Sequence, residues 1–461
     1  MKPITRLLPL LSFLMIGCAT TYDKPQLTPP DNWSVTTATS DDESNLPYLA
    51  WWQGFNDPLL NQLVESAIAN NNSLNMSRSH IEAAEGELKK IQFQWIPDIN
   101  VLLGYSNNPA TGFPGLLAVL APNYTLNIFS QLKQQKRAEY ELAAAKAEDD
   151  AVKLTVISQV AASYFSYQAE VEHRQLLQNL IDDTGNLLNI NQKLYLTGIT
   201  PETHVEELRA QLNLLQGEIQ EVEQNIITSR NALRYLINQV PGDLPAVKKF
   251  SDLQNPSLLP GALPLTVLEN RPDMEMATNQ LLAASSGVGI AQSQLLPTLQ
   301  LDFIGGPVAG NNSYHFPTPI TTNVVDFNDE LLKIPVFNMS ALGAIAKAEG
   351  LNKVAYYNYL DVFQKALRNT TNALSAHAKI TTKLIQVESA VQHLHKAYQL
   401  NEQLYQRGIN SKLSTLDSKI AWDQIQIKQN QTRLQQLITV VNLYQELAGG
   451  YKNNESTPAG A

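Results

Sequence analysis

The sequence predicts a mainly α-helical protein with a small β portion, built as two internal copies of one structural unit. Three observations carry that expectation. An ordered set of segments recurs roughly 200 residues further on. Two proline-free stretches have helical patterning and far exceed the length of a globular helix. Four short strand-like segments are bounded by turn residues.

Ile81-Glu82-Ala83-Ala84, with Pro97 downstream, returns as Leu281-Leu282-Ala283-Ala284 with Pro297. Asn127-Ile128-Phe129 returns as Pro335-Val336-Phe337. Leu194-Tyr195-Leu196-Thr197-Gly198-Ile199 returns as Leu404-Tyr405-Gln406-Arg407-Gly408-Ile409. Order and spacing are both kept, which places one repeat over 51–260 and a second over 261–451.

Each repeat is expected to open with a helix, about 59–94 or 272–295, that stops at a proline lacking a donor and disfavouring helix in the residue before it. Two strand segments follow, about 98–105 with 116–128 and about 298–304 with 320–336, each pair separated by Gly, Pro and Asn. These are two candidate hairpins. A helix of some 65 residues comes next, about 130–195 or 339–405; at 1.5 Å per residue it would reach about 100 Å and needs continuous lateral packing.

The closing helix of the first repeat is announced by Thr200 as N-cap, Pro201 as first helical residue and Glu202 at the positive helix end. Leu208, Leu212, Leu215, Ile219, Val222, Ile226, Leu233 and Leu236 then keep steps of four and three, a coiled-coil seam. The second copy, about 411–448, is similar but looser. Gln, Asn, Ser and Thr occupy many remaining positions, as in a neutral polar wall; a solvated structural coiled coil fits the same pattern until the strands are considered.

At the N-terminus Lys2 and Arg6 precede an apolar run from Leu7 to Ile16, too short to span a bilayer and suited to a secretory signal over 1–17. Met15-Ile16-Gly17-Cys18 contains the only cysteine. Its placement resembles a bacterial lipobox, although Met15 stands where Leu is usual. That resemblance implies acylation of Cys18, worth about 0.8 kcal/mol per buried CH₂, and Ala19 in place of Asp implies sorting to the outer membrane. Residues 18–50 read as a lipidated extended tether rich in Pro, Thr, Ser and Asp, and 452–461 as a disordered tail. No later segment is apolar for eighteen residues or more, so any membrane crossing must be a barrel. Four strands cannot close one, since the known minimum is about eight, so several chains must contribute. Three would give twelve strands. The net charge of −10 argues against nucleic acid as a partner, since phosphate binding needs a basic face.

The chain resembles the TolC/OprM family of outer-membrane efflux proteins, in its lipoprotein (OprM/NodT-like) branch, from about 51 to 451. The resemblance rests on Trp51-Trp52 with Phe55-Asn56-Asp57-Pro58-Leu59-Leu60, Asn270-Arg271-Pro272-Asp273, Ile290-Ala291 to Pro297, Ile334-Pro335-Val336-Phe337, and Asn442-Leu443-Tyr444 to Gly449-Gly450. It implies a homotrimer with a twelve-stranded outer-membrane β-barrel continuous with a periplasmic α-helical coiled-coil barrel. It further implies a passive duct for drugs or other small molecules, docking to a periplasmic adaptor (membrane fusion) protein and an inner-membrane transporter of the RND or a related class. Asn127-Ile128-Phe129-Ser130 departs from the family's Asp-Leu-Phe-Gly, so a different corner is expected there.

No catalytic constellation is visible, and His80, His173, His204, His315, His377, His393 and His395 are scattered, so neither an enzyme nor a metal site is expected. The only non-protein group expected is the acyl lipid on Cys18. Function is expected at two helix-turn-helix tips, Tyr195 to Glu207 and Tyr405 to Asp417, turning at Gly198 and Gly408. In the family, a Tyr before the tip glycine makes closing hydrogen bonds, and acids six and nine residues beyond it ring the aperture. Tyr405 and Asp417 match this pattern; Ser414 and His204 stand where acids are expected, and Glu207 occupies the outer position in the first repeat. The resemblance therefore implies an aperture less cation-selective than the family pattern, in which His204 adds a group that gains charge on mild acidification. Glu206, Glu207 and Asp417 would also suit plain helix N-termini. Two other functions fit the sequence: the exit duct of a type I protein secretion system, and a non-channel periplasmic coiled-coil adaptor or spacer.

Overall fold

The structure, a computed structural model, describes residues 48–106, 115–245, 248–253, 268, 270–310, 320–328 and 332–452. The signal segment, Cys18, nearly all of the tether and the C-terminal tail beyond residue 452 lie outside the described residues. The elements run α1 (Pro58–Asn70), α2 (Asn72–Phe93), β1 (Asp98–Ser106), β2 (Gly115–Leu126), α3 (Ile128–Leu196), α4 (Glu202–Leu236), α5 (Pro272–Ser293), β3 (Leu299–Gly310), β4 (Ile320–Asn328), α6 (Met339–Gln406) and α7 (Lys412–Glu446).

Compactness divides the chain differently from the repeats. Among the described residues, one unit holds Ser79–Ala147 and Glu275–Val362; the other holds those up to Arg78, Glu148–Met274 and those from Phe363 onward.

The first unit contains the sheet. Its strands lie in the order β1-β2-β3-β4, all antiparallel, so the two expected hairpins form one sheet joined by β2–β3 pairing from Gly115↔Gly310 to Leu126↔Leu299. Ile99, Val101 and Leu103 alternate along β1 and are 70%, 61% and 75% exposed; Leu120, opposite Val101 in the register, is 52% exposed. Side chains two apart on a strand share a face, so this face presents an apolar stripe to its surroundings. Strand β4 ends at Asn328, earlier than the sequence suggests, and beyond it a single bridge, Thr298↔Lys333, continues the pairing.

The corner into α3 shows why the repeat alignment slips. Asn127 caps α3 by accepting from the Ser130 amide at 3.0 Å, and Asn338 caps α6 by accepting from Ala341 at 3.2 Å. The structural equivalents are thus Asn127 and Asn338. Pro335-Val336-Phe337 belongs to the approach to α6, and the expected alteration of the corner reduces to an asparagine oxygen doing a capping acid's work.

The second unit holds the large core. Trp51 stacks on Tyr444 with ring centroids 5.1 Å apart, and Phe55 packs on Phe165 at 4.8 Å. Asp57 caps α1 through the Leu59 amide at 3.0 Å and accepts from the buried Tyr164 hydroxyl at 2.7 Å. Arg271 reaches Asp273 at 2.8 Å and Glu446 at 2.7 Å, fixing the start of α5 to the end of α7. The expected single helix over 59–94 is broken at Asn71, whose oxygen accepts from Ser73 at 2.9 Å while its amide donates to the Leu236 carbonyl at 2.8 Å. An internal asparagine competes for backbone groups and here starts a second helix.

The seam residues of α4 face inward as their spacing predicts, buried at Leu208, Val222, Leu233 and Leu236 and partly buried at the other four. Leu208 and Val222, flanked by Leu212, Leu215, Ile219 and Ile226, join Leu177, Leu180, Leu187 and Leu188 of α3 and Leu416, Ile420 and Ile427 of α7. The cap of α4 is Pro201, with extended backbone and no side-chain bond, so the helix starts at Glu202, one residue later than Thr200 as cap would require.

Gly450 has φ +85°, and a Cβ there would lie 2.7 Å from the Leu49 carbonyl oxygen and 2.8 Å from the Trp52 ring; Gly408 has φ +72° in open space. Gly408→Ala is expected to cost about 1 kcal/mol of left-handed backbone strain, and Gly450→Ala about 3 kcal/mol once overpacking is added. Comparing the denaturant midpoints of the two variants checks this; equal losses would show that the Trp52 contact adds nothing.

Candidate functional site at the helical tips

Both tips lie within the second unit, and the same backbone motif makes each of them. At the end of α3, the Gly198 amide donates to the Tyr195 carbonyl at 2.9 Å and the Ile199 amide to the Leu194 carbonyl at 2.9 Å. At the end of α6, Gly408 donates to Tyr405 at 2.8 Å and Ile409 to Leu404 at 2.9 Å. This is the Schellman pattern, which requires a left-handed residue at its fifth position and therefore selects glycine. Gly198 (φ +76°) and Gly408 (φ +72°) are geometric necessities of the turn.

The side chains differ between the tips. Glu202 sits against Tyr195, and its charge raises the phenol pKa above the ordinary tyrosine range. In the second tip Lys412 follows the turn, and among the described residues the Tyr405 hydroxyl has no partner; its ring is 40% exposed. Asn410 instead organises that turn, donating to Asn401 at 2.9 Å and to Ser414 Oγ at 3.2 Å, while Ser411 caps α7 through the Ser414 amide at 3.1 Å.

Three of the residues singled out in the sequence come together. His204 Nδ1 lies 3.6 Å from Glu207 Oε2. His204 is also close enough to Asp417 for its charge to favour the Asp417 carboxylate, although partial desolvation outweighs it and raises that carboxyl above its usual range. The exposed imidazole thus contacts Glu207 of its own repeat and acts on Asp417 of the other through charge alone. Tyr405 and Ser414 do not join this group.

A second cluster lies in the turns of α7 that follow Asp417 and was not singled out in the sequence. Lys419 Nζ is 2.7 Å from Asp423 Oδ1 on its own helix and 3.2 Å from Asp183 Oδ2 on α3. The ammonium also lies 4.9 Å from the Trp422 ring centre, and Trp422 stacks on His395 at 4.5 Å and on Tyr398 at 5.7 Å, both on α6. The i,i+4 spacing of Lys419 and Asp423 is legible as a helical ion pair; the partner from α3 is not.

Among the described residues no group of three His, Cys, Asp or Glu could hold a metal ion, and no helix is long and apolar enough to cross a membrane.

The model of the outer membrane efflux protein family matches residues 63–239 and 263–449, one match for each repeat. The pyoverdine export outer membrane protein OpmQ of Pseudomonas putida is 26% identical, with 97% of each chain covered. The toluene efflux pump outer membrane protein TtgC, also of Pseudomonas putida, is 23% identical over 95% of this chain and 94% of its own. Among solved structures, the open state of the MtrE outer membrane channel of Neisseria gonorrhoeae superposes with a TM-score of 0.80 at 20% identity, covering 95% of this chain and 99% of that one. The CmeC channel of Campylobacter jejuni gives 0.78 at 20% identity, over 95% and 96%. With a family match to both repeats, the duplicated helical hairpins and the four-stranded sheet are those of an efflux channel component, and the chain belongs to the outer membrane efflux protein family.

Proposed function

We propose that this outer-membrane efflux protein works as one of three identical subunits of a passive duct for drugs or other small molecules, anchored by an acyl lipid on Cys18. The observation that carries the oligomer is the sheet: a four-stranded antiparallel sheet ends in the edge strands β1 and β4 and bears an exposed apolar stripe at Ile99, Val101, Leu103 and Leu120. Edge amides and carbonyls in hydrocarbon cost several kcal/mol each unless paired, so β1 and β4 pair with strands of neighbouring copies, and twelve strands from three chains suffice for a closed barrel.

The partners of such a duct are a periplasmic adaptor and an inner-membrane transporter of the RND or a related class. The names of relatives, which include toluene efflux and pyoverdine export proteins, favour small molecules over secreted polypeptides. Deleting the gene is expected to raise drug accumulation in the cell; unchanged accumulation across substrate classes, with a polypeptide retained in the periplasm, would favour the protein-secretion reading.

The aperture lies at the tips. Tyr405, with an unpartnered hydroxyl, is available to a neighbouring subunit, whereas Tyr195 is engaged by Glu202. Asp417 supplies one carboxylate per subunit to a narrow mouth, where low-dielectric walls focus the field toward cations. Glu207 supplies a second, with the His204 imidazole 3.6 Å away.

Asp417→Ala should weaken block by divalent cations entering from the periplasmic side of single channels in planar bilayers; an unchanged block removes Asp417 from the aperture. Protonated His204 competes with those cations for Glu207 and Asp417, so mild acidification should relieve block less steeply in His204→Ala than in wild type. Identical pH profiles of block would show that His204 is only solvated surface. Cys18→Ala should abolish palmitate labelling while the barrel keeps the protein in the outer membrane. Release of that variant as a soluble periplasmic protein without channel activity would support the spacer reading.

A further inference from the structure

We propose that the cavity between the foot of the sheet, the end of α2 and the start of α3 holds the head group of a phospholipid with a primary-ammonium (ethanolamine) head. Lys90 takes the phosphate, Asp98 and Gln131 take the ammonium, and the acyl chains lie on the apolar stripe of β1. The site stands on the barrel reading above, since a lipid reaches it only if the sheet faces hydrocarbon. All of it lies within Ser79–Ala147, inside the first unit. Its volume is about 730 Å³, in the range of small-ligand sites.

The cavity lies where the apolar stripe ends. Tyr124 is an even step along β2 from Leu120, so the two share a face, and Leu120 stands opposite Val101 in the register. The stripe of Ile99, Val101, Leu103 and Leu120 thus runs down to the Tyr124 ring on the cavity wall. The Tyr124 hydroxyl donates to the Trp95 carbonyl at 3.3 Å, and Phe93 and Ile96 on the same wall are 64% and 61% exposed. Aromatic side chains with a polar tip beside exposed apolar ones mark the boundary between hydrocarbon and head groups. Here that boundary lies on the side of the long helices, the periplasmic side of the duct proposed above.

The polar lining selects the head group. Lys90 and Asp98 are its charged residues, a cation and a carboxylate that together match a zwitterion; a purely anionic head would leave Asp98 beside a phosphate with nothing to bind. Lys90 reaches Glu87 at 3.0 Å, but these side chains are 67% and 48% exposed, and such a surface pair is too weak to keep the ammonium from a phosphate. Asn127 and Ser130 put the positive end of α3 on the same wall. Gln131, the next residue of α3, lines the cavity and is only 6% exposed. Its amide donates to the Gln94 carbonyl at 3.3 Å, while its Oε1 is shielded from solvent and accepts from no described residue. A buried acceptor without a donor is costly, and an ethanolamine ammonium carries the N–H groups to supply one. A choline head carries none, so the cavity distinguishes between zwitterions of equal charge.

The test is native mass spectrometry of the full-length protein in detergent, titrated with phosphatidylethanolamine, phosphatidylcholine and phosphatidylglycerol of identical acyl chains. Phosphatidylethanolamine should bind wild type about tenfold more tightly than either of the others, the worth of a charge-assisted hydrogen bond. Lys90→Ala should weaken it by a similar factor. Gln131→Met keeps the side-chain volume, removes the acceptor and should erase the preference over phosphatidylcholine, while Asp98→Asn should narrow the margin over phosphatidylglycerol. Each variant is also measured for conductance in planar bilayers, which separates a lost site from a lost fold. Equal binding of the lipids by conducting wild-type protein, or conducting variants that bind like wild type, would overturn the site and leave the duct intact. Tighter binding of phosphatidylglycerol would overturn the ethanolamine assignment. A preference that emerges only in Cys18→Ala would show the cavity filled by the chain's own acylated terminus and overturn it as well. Wild-type protein that gives no channels and binds no lipid would overturn the barrel, and the site with it.

Discussion

A strand edge cannot be left unpaired in hydrocarbon, and this constraint governs the rest of the molecule. The described residues of each chain supply four strands with two open edges, too few to close on themselves, so the barrel proposed for it is shared among several copies. The helices inherit the same logic. A helix such as α3 or α6, 69 and 68 residues long, is not stable through its own propensity and requires neighbours along its length. Duplication provides those neighbours within the chain: α7 of the second repeat lies in the same apolar seam as α3 and α4 of the first.

The parts of the fold legible in the sequence are those governed by local chemistry with a fixed period. The seam of α4 could be read because leucines at steps of four and three can face only one way, and the tip turns because only a glycine takes the left-handed position of a Schellman motif. Other features depend on partners remote in the chain. The break at Asn71 is completed by the Leu236 carbonyl, which no local pattern reveals. The alignment of Phe129 with Phe337 failed because the second repeat spends additional residues between its sheet and its helix, while the true equivalence is between two capping asparagines. Of the candidate site, the sequence located both turns and singled out His204, Glu207 and Asp417 one by one, but not that His204 brings the two acids together. It did not place Asp183 against Lys419, since a contact between α3 and α7 has no signature in either helix alone.

The segments most specific to the family are mostly packing, not transport. Trp51, Phe55 and Asp57, Arg271 with Asp273, and Tyr444 with Gly450 meet in or around the core of the second unit, where they close the ends of α1, α5 and α7. Gly450 is fixed by the Leu49 carbonyl and the Trp52 ring, and Asp57 by the Tyr164 hydroxyl. Residues held by several neighbours at once have few substitutes, whereas a tip residue facing water or another subunit has many. The segments that carry the family resemblance are therefore those of the core.

The two tips share one backbone and carry different charge, and that inequality follows from the duplication. In the first repeat Glu202 engages Tyr195 and His204 lies beside Glu207, so the hairpin is satisfied by its own residues. In the second, Lys412 replaces the acid, Ser414 turns inward to Asn410, Asp417 lies near His204 of the first repeat, and the Tyr405 hydroxyl is left without a partner among the described residues. A hairpin whose polar groups pair among themselves gains little from meeting a neighbour. One whose tyrosine hydroxyl remains uncommitted gains a hydrogen bond on contact, and loses it on separation. The second hairpin therefore keeps for a neighbouring copy the tyrosine hydroxyl that the first has already engaged with Glu202.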